Sequence, residues 1–234
     1  MSTTLKQRLA NGQSVLMVNP NHVSVTLAEK LTRSGVDSIF VDCEHGAAGF
    51  DQLQLMAKAA RFGGGYTIVR PQSQDRSTIT RCLNCGADGV MVPLVHTADS
   101  AREVVATIRY ACPDDFENRL VVVMIESTQA VENLDEILKV EGIDVFFVGP
   151  GDLSQSMGYS PNVAPGARRP QPVLDLVDRT LGRIRQAGKH AGTLVVKENV
   201  EHLVKAGAQL LYYHADPFVA DGVKLMRGLS GQAV

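Results

Sequence analysis

Short apolar runs rich in β-branched residues alternate with amphipathic stretches along the whole chain. The runs fall at 14–18 (SVLMV), 37–41 (DSIFV), 66–70 (YTIVR), 88–92 (DGVMV), 120–125 (LVVVMI), 144–148 (DVFFV), 191–196 (AGTLVV) and 209–213 (QLLYY). Each has the length and composition of a strand buried on both faces. Between them the spacing of apolar positions predicts helices, most clearly over 51–61, 97–109 and 172–187, several closed by Gly or an acidic turn. Eight strands that each return through a helix predict a parallel sheet closed as a (β/α)8 TIM barrel. A doubly wound open sheet is the alternative, weakened because no Gly-rich nucleotide fingerprint follows the first run. No composition shift marks a boundary, so residues 1–234 read as one barrel domain, with 159–172 (YSPNVAPGARRPQP) as its most loop-like segment.

Composition narrows the partners. With 44% hydrophobic and 21% charged residues, a chain of 234 buries a sizeable core. Its 23 Lys and Arg nearly balance 25 Asp and Glu, which offers no net field for nucleic acid or an anionic membrane. Small neutral or anionic ligands fit better. The first residues carry charges but no apolar run follows them, and no unbroken apolar stretch is long enough to span a bilayer, so a soluble, cytoplasmic protein is expected. Cys43, Cys82, Cys85 and Cys112 are too few and irregular for a disulfide framework. Cys82 and Cys85 form a C-x-x-C, yet no second Cys/His pair lies nearby, and "TITRCLNCGADG" reads as a helix ending at Gly86 with two packed thiols.

In such a barrel the loops after the strands build the active site, so polar residues at strand ends are the ones to collect. The second strand ends in Asp42, Glu44 and His45, the third in Arg70, the fifth in Glu126, and the sixth runs into "VGPGDLSQSMGY" with Asp152. A carboxylate at the end of "LVVVMIE" is costly to bury unless it is paired or holds a cation. Glu126 and Asp152, from neighbouring strands, describe a hard oxygen site for Mg2+, Mn2+ or Co2+; capping of the following helices is the alternative for each. The amides of Gly151 and Asp152 lie at a helix start that favours a substrate carboxylate. Arg70 is a fixed charge suited to an oxyanion, or else a salt-bridge partner of Asp42 or Glu44. His45 can carry a proton near neutral pH, and Asp42 can fix its tautomer. His22 and His96 follow strand ends and are weaker candidates for the pocket lining, His214 follows the eighth strand, and His190 and His202 read as surface residues.

Taken together, "VDCEHGA", "IVRPQSQD", "GADGVMVPLVHTADSAREVV", "RYACP", "VVMIES" and "VEGIDVFFVGPGDLSQSMGY" resemble the metal-dependent (class II) pyruvate aldolases of the HpcH/HpaI type over nearly the full chain. The resemblance implies a (β/α)8 barrel whose last helix is exchanged between subunits, and a homo-oligomer, either a hexamer built as a trimer of dimers or a trimer. It also implies a divalent metal on Glu126 and Asp152, a ketone polarised by Arg70, and proton handling by His45 with Asp42. The implied reaction is reversible cleavage of a 4-hydroxy-2-oxo acid to pyruvate, or a related 2-oxo acid, and an aldehyde by way of an enolate.

Two departures from that pattern stand out. Only Asp114 to Arg119 separate "RYACP" from "LVVVMIE", where family members carry a longer loop over the site, so a more open aldehyde side is expected. Asn84 stands where the family often has an aspartate that reaches a neighbouring subunit's histidine. Three rivals remain: a class I aldolase with a Schiff base on Lys197, a decarboxylase of the oxaloacetate type on the same site, and a catalytically silent barrel that binds a small acid.

Overall fold

The computed structural model describes residues 3–164 and 167–231. Its eight strands are β1 (Val15–Asn19), β2 (Ser38–Asp42), β3 (Tyr66–Arg70), β4 (Gly89–Val92), β5 (Leu120–Ile125), β6 (Val145–Val148), β7 (His190–Leu194) and β8 (Ala208–His214). All neighbours pair in parallel, and β8 returns to β1 to close the barrel. The helices are α1 (Leu5–Ala10), α2 (Val25–Arg33), α3 (Phe50–Phe62), α4 (Arg76–Asn84), α5 (Ala98–Ala111), α6 (Thr128–Glu132), α7 (Leu134–Ile137), α8 (Pro150–Ser156), α9 (Gln171–Gln186), α10 (Val200–Ala206) and α11 (Asp216–Leu229). The open sheet considered from sequence is thereby excluded.

Alternation along each strand sorts the residues into two cores. Val15, Met17, Phe40, Ile68, Met91, Leu120, Val122, Met124, Val145, Phe147 and Leu210 fill the barrel, while Ile39, Val41, Val69, Val90, Val121, Val123 and Phe146 pack outward against the helices. Because both faces are buried, β5 is apolar at every position and no polar alternation marks it. The parity also dictates what reaches the mouth, the end where the strands finish. Two residues beyond an inward Phe40, Ile68 or Met124 come Asp42, Arg70 and Glu126. Asp42 and Arg70 are direct neighbours in the β2–β3 register.

The opposite end, the bottom, is closed by α1. Thr4 caps this helix reciprocally with Gln7, and Leu5 and Leu9 are buried in the inner core. The short segment before β5 also lies there: Lys6 Nζ donates to the Phe116 carbonyl, and Arg119 donates to the Ala87 carbonyl at 2.7 Å. The shortening read from sequence therefore sits at the far end of this chain's barrel and does not open its own mouth; helices run back from the mouth, so a loop after α5 lands at the bottom. A cavity of about 300 Å3 lined by Arg61, Tyr66, Asp88, Asn118 and Arg119 is also at the bottom, away from the strand-end residues.

Candidate active site

The centre of the mouth is Arg70. Its Nε and Nη2 donate to the two carboxylate oxygens of Asp42 at 2.9 and 2.7 Å, and Nε also lies 3.0 Å from Glu44 Oε2. Burial would raise the Asp42 carboxyl, but the hydrogen bonds and charge of Arg70 outweigh it and hold the group below the usual carboxylate range. Backbone N–H groups of Glu44 and His45 donate to Asp42 Oδ1 as well. The carboxylate is thus an orienting anion for Arg70 rather than for the imidazole. The ring of His45 instead meets Arg70, with Nη2 2.9 Å from Nδ1. A guanidinium only donates, so Nδ1 accepts and the ring proton sits on Nε2. The tautomer expected from Asp42 is therefore set by Arg70.

Glu126 lies on the other side. It is 2% exposed; Oε1 accepts the Leu94 N–H at 2.7 Å, while Oε2 is buried without a hydrogen-bond partner. Gly149, two residues beyond the inward Phe147, makes room: a Cβ there would come within 2.8 Å of Glu126 Oε2. Burial pushes the Glu126 carboxyl up to about 8, with the charge of Asp152 reinforcing the shift against the Leu94 amide. Asp152 occupies the first turn of α8, whose N-cap, Gly149, has no side chain to offer the helix. Asp42, Glu44 and Glu126 act on Arg70, while Asp152 lies near Glu44 and Glu126 and acts on the half-buried Arg169, so four acids meet two cations, an excess of negative charge that suits a divalent cation. Glu126 and Asp152 are a pair, not a closed cage: among the described residues, no group of three or more His, Cys, Asp or Glu is placed to hold a metal ion.

Other sequence candidates fall outside this cluster. Asn84 is exposed at the end of α4, far from the mouth of its own chain. Lys197 is an exposed side chain with Nζ 3.8 Å from Asp221 Oδ2. Cys82 is fully buried, with its thiol pushed up to about 12 by burial, and all four cysteines are free. His96 Nδ1 meets Ser127 Oγ at 2.8 Å, and His22 pairs with Asp216. Two mouth residues escaped the sequence reading. Asn19, at the end of β1, donates to the Tyr212 hydroxyl at 2.9 Å, and Tyr212 packs edge-on against Phe40. Asn19 was detectable as a strand-end polar residue, whereas Tyr212 lay hidden within an apolar run.

A closed parallel barrel with a cluster of acids around an arginine where the strands finish has the layout of a TIM-barrel enzyme. The chain belongs to the HpcH/HpaI aldolase/citrate lyase family, whose profile matches residues 13–216. It is 32% identical over 249 aligned positions to a 2-keto-3-deoxy-L-rhamnonate aldolase of Escherichia coli O1:K1, covering 97% of this chain and 89% of that one. Among solved structures it resembles the citrate synthase SbnG, with a TM-score of 0.85, 26% identity and 98% of each chain covered. An HpcH/HpaI aldolase from Desulfitobacterium hafniense DCB-2 superposes with a TM-score of 0.81 at 25% identity, covering 97% of each chain.

Proposed function

We propose that this chain is a metal-dependent aldolase that reversibly cleaves a 4-hydroxy-2-oxo acid to pyruvate, or a related 2-oxo acid, and an aldehyde. Mg2+, Mn2+ or Co2+ would be held by Glu126 and Asp152. The observation that carries this reading is the unbonded Oε2 of Glu126, buried beside Gly149 in a mouth rich in acids. Such an oxygen is costly unless a cation shares it. When bound, the cation supplies Lewis-acid polarisation of the keto and carboxylate oxygens of the 2-oxo acid.

The remaining steps fall to the chain's own groups. Asp42 fixes the guanidinium through Nε and Nη2, which leaves Nη1 of Arg70 for the keto oxygen as it gains charge during C3–C4 cleavage. Cleavage removes the proton of the C4 hydroxyl and returns one proton to C3, so none is consumed overall, and a water oriented by the Nε2–H of His45 would carry it from the one position to the other. The first-turn amides of Gly151 and Asp152 favour the substrate carboxylate.

Pyruvate release from a panel of 4-hydroxy-2-oxo acids, 2-keto-3-deoxy-L-rhamnonate included, tests the proposal with and without chelator. Metal-dependent release supports it. Release of pyruvate and carbon dioxide from oxaloacetate, with no 4-hydroxy-2-oxo acid cleaved, would select the decarboxylase, and no turnover of either kind would select the silent barrel.

The oligomer belongs to the same reading. None of the residues of α11 is buried, and Val219, Leu225, Met226 and Leu229 are all more than 60% exposed. An apolar helix face of this kind supports exchange between subunits in a hexamer or trimer, which light scattering after size exclusion would check. Four unpaired cysteines suit a reducing compartment and support a cytoplasmic location.

A further inference from the structure

Gln74, within "IVRPQSQD", stands outside the acid cluster and was given no role there, yet it is tied to Glu126 through one backbone turn. Its Nε2 donates to two successive carbonyls, Pro93 at 2.9 Å and Leu94 at 2.7 Å. Leu94 has a φ of 57°, in the left-handed region that side chains other than glycine seldom occupy. That turn is what aims the Leu94 N–H at Glu126 Oε1 and leaves Oε2 as the uncommitted oxygen. The loop after β3, which carries Arg70, is thereby bonded to the loop after β4, which orients the buried carboxylate.

We infer that Gln74 is a positioning residue for the cation site: by holding both carbonyls it maintains the left-handed turn at Leu94, which fixes the carboxylate plane of Glu126. The inference rests on the reading that Glu126 holds a divalent cation. A donor of this kind acts one step removed from the metal, where loss of an outer partner typically weakens metal affinity by roughly 10–100-fold.

Gln74→Met keeps the length of the side chain and removes its donor. Two measurements on substrate-free protein test the idea. Hydrogen exchange of the peptide containing Leu94, in metal-free protein, reads the turn itself; faster exchange in Gln74→Met than in wild type is expected. Mn2+ affinity, read from the free-ion EPR signal, should fall by roughly 10-fold or more. Glycine takes positive φ without strain, so the turn in Leu94→Gly needs less holding. Adding Gln74→Met to Leu94→Gly should then cost at least about threefold less affinity than adding it to wild type.

Unchanged exchange at Leu94 overturns the proposal whatever the metal does. Wild-type Mn2+ affinity in Gln74→Met, with binding abolished in Glu126→Ala, overturns it while sparing the metal reading. Wild-type Mn2+ affinity in Glu126→Ala overturns both. Equal losses in the two backgrounds would show that Gln74 does not act through the turn.

Discussion

The two ends of the barrel use the same residue types for opposite purposes. At the bottom, Asp37, Asp88 and Asp144 each stand immediately before an even-numbered strand. Each accepts the amide of a residue in the preceding strand: Leu16 at 2.8 Å, Thr67 at 2.9 Å and Val121 at 2.7 Å. Each also has its own cation: Arg8, Arg61 and Lys6 respectively. Charge there is cancelled pair by pair, and the carboxylates act as stitches between strands. At the mouth, Asp42, Glu44 and Glu126 crowd one arginine, Arg70, Asp152 acts on Arg169, and Glu44 and Glu126 each keep an oxygen without a hydrogen bond. Acids paired one to one mark the bottom, and on the proposed function the acids that keep an unbonded oxygen mark the binding end.

The sharpest way to break this comparison is at Glu126. Glu126→Ala should lower retro-aldol turnover by roughly 10³-fold or more, since Lewis-acid stabilisation is worth several kcal/mol. The same residue should govern the pH dependence of stability in metal-free protein. The native carboxyl keeps its proton up to about pH 8, whereas the unfolded chain releases it near the ordinary value of 4.5. Across that window the native state binds more protons, so stability falls as pH rises from roughly 4.5 to 8. Thermal melts should show this slope in wild type and lose it in Glu126→Gln. A slope that survives the substitution would place the cost of burial elsewhere.

Next in size is Arg70. Arg70→Lys should lower turnover by roughly 10²-fold, because an ammonium cannot bridge both oxygens of Asp42 and still face the substrate. Exchange of pyruvate methyl protons with deuterated water, followed by NMR, should fall in parallel. Unchanged exchange would reduce the Asp42–Arg70 pair to a mouth-end version of the stitches below.

At the bottom the expected signature is reversed. Asp88→Ala leaves the buried Thr67 amide without an acceptor and should cost about 1–3 kcal/mol in urea unfolding, with kcat/KM unchanged. A loss of activity without a loss of stability would mean that the two ends are not separable.

Much of this division was legible in the sequence, because barrel geometry converts parity into place. Asp42, Arg70 and Glu126 could be assigned to the mouth from the apolar runs that lead into them. The bottom aspartates were read as the first residues of strands. Their carboxylates belong to the turn instead, since each bonds back across to the previous strand. What stayed hidden depends on backbone detail. The left-handed turn at Leu94 has no glycine to announce it, and Gln74 stabilises it from another loop. Helix α1 was too short for its periodicity to stand out, although Leu5 and Leu9 close the barrel. Which partner Arg70 would choose was equally open, because Asp42, Glu44 and the substrate oxygen all suit a guanidinium.

The smallest expected effect is at Lys197, and it separates the two ways an aldolase can activate a ketone. A Schiff-base lysine attacks as a neutral amine, which requires burial or a neighbouring cation to strip its proton. Lys197 has neither: its side chain is 76% exposed and its neighbour is an anion, Asp221, at 3.8 Å. An exposed pair of this kind contributes little to stability, on the order of 0–1 kcal/mol. Lys197→Met should therefore leave turnover within about twofold of wild type and the melting temperature nearly unmoved. Borohydride added with substrate should trap no adduct in either protein. A trapped adduct lost in Lys197→Met would transfer the chemistry from the acid-rich side of the mouth to the end of β7, and the contrast between paired and unpaired carboxylates would then describe electrostatics without catalysis.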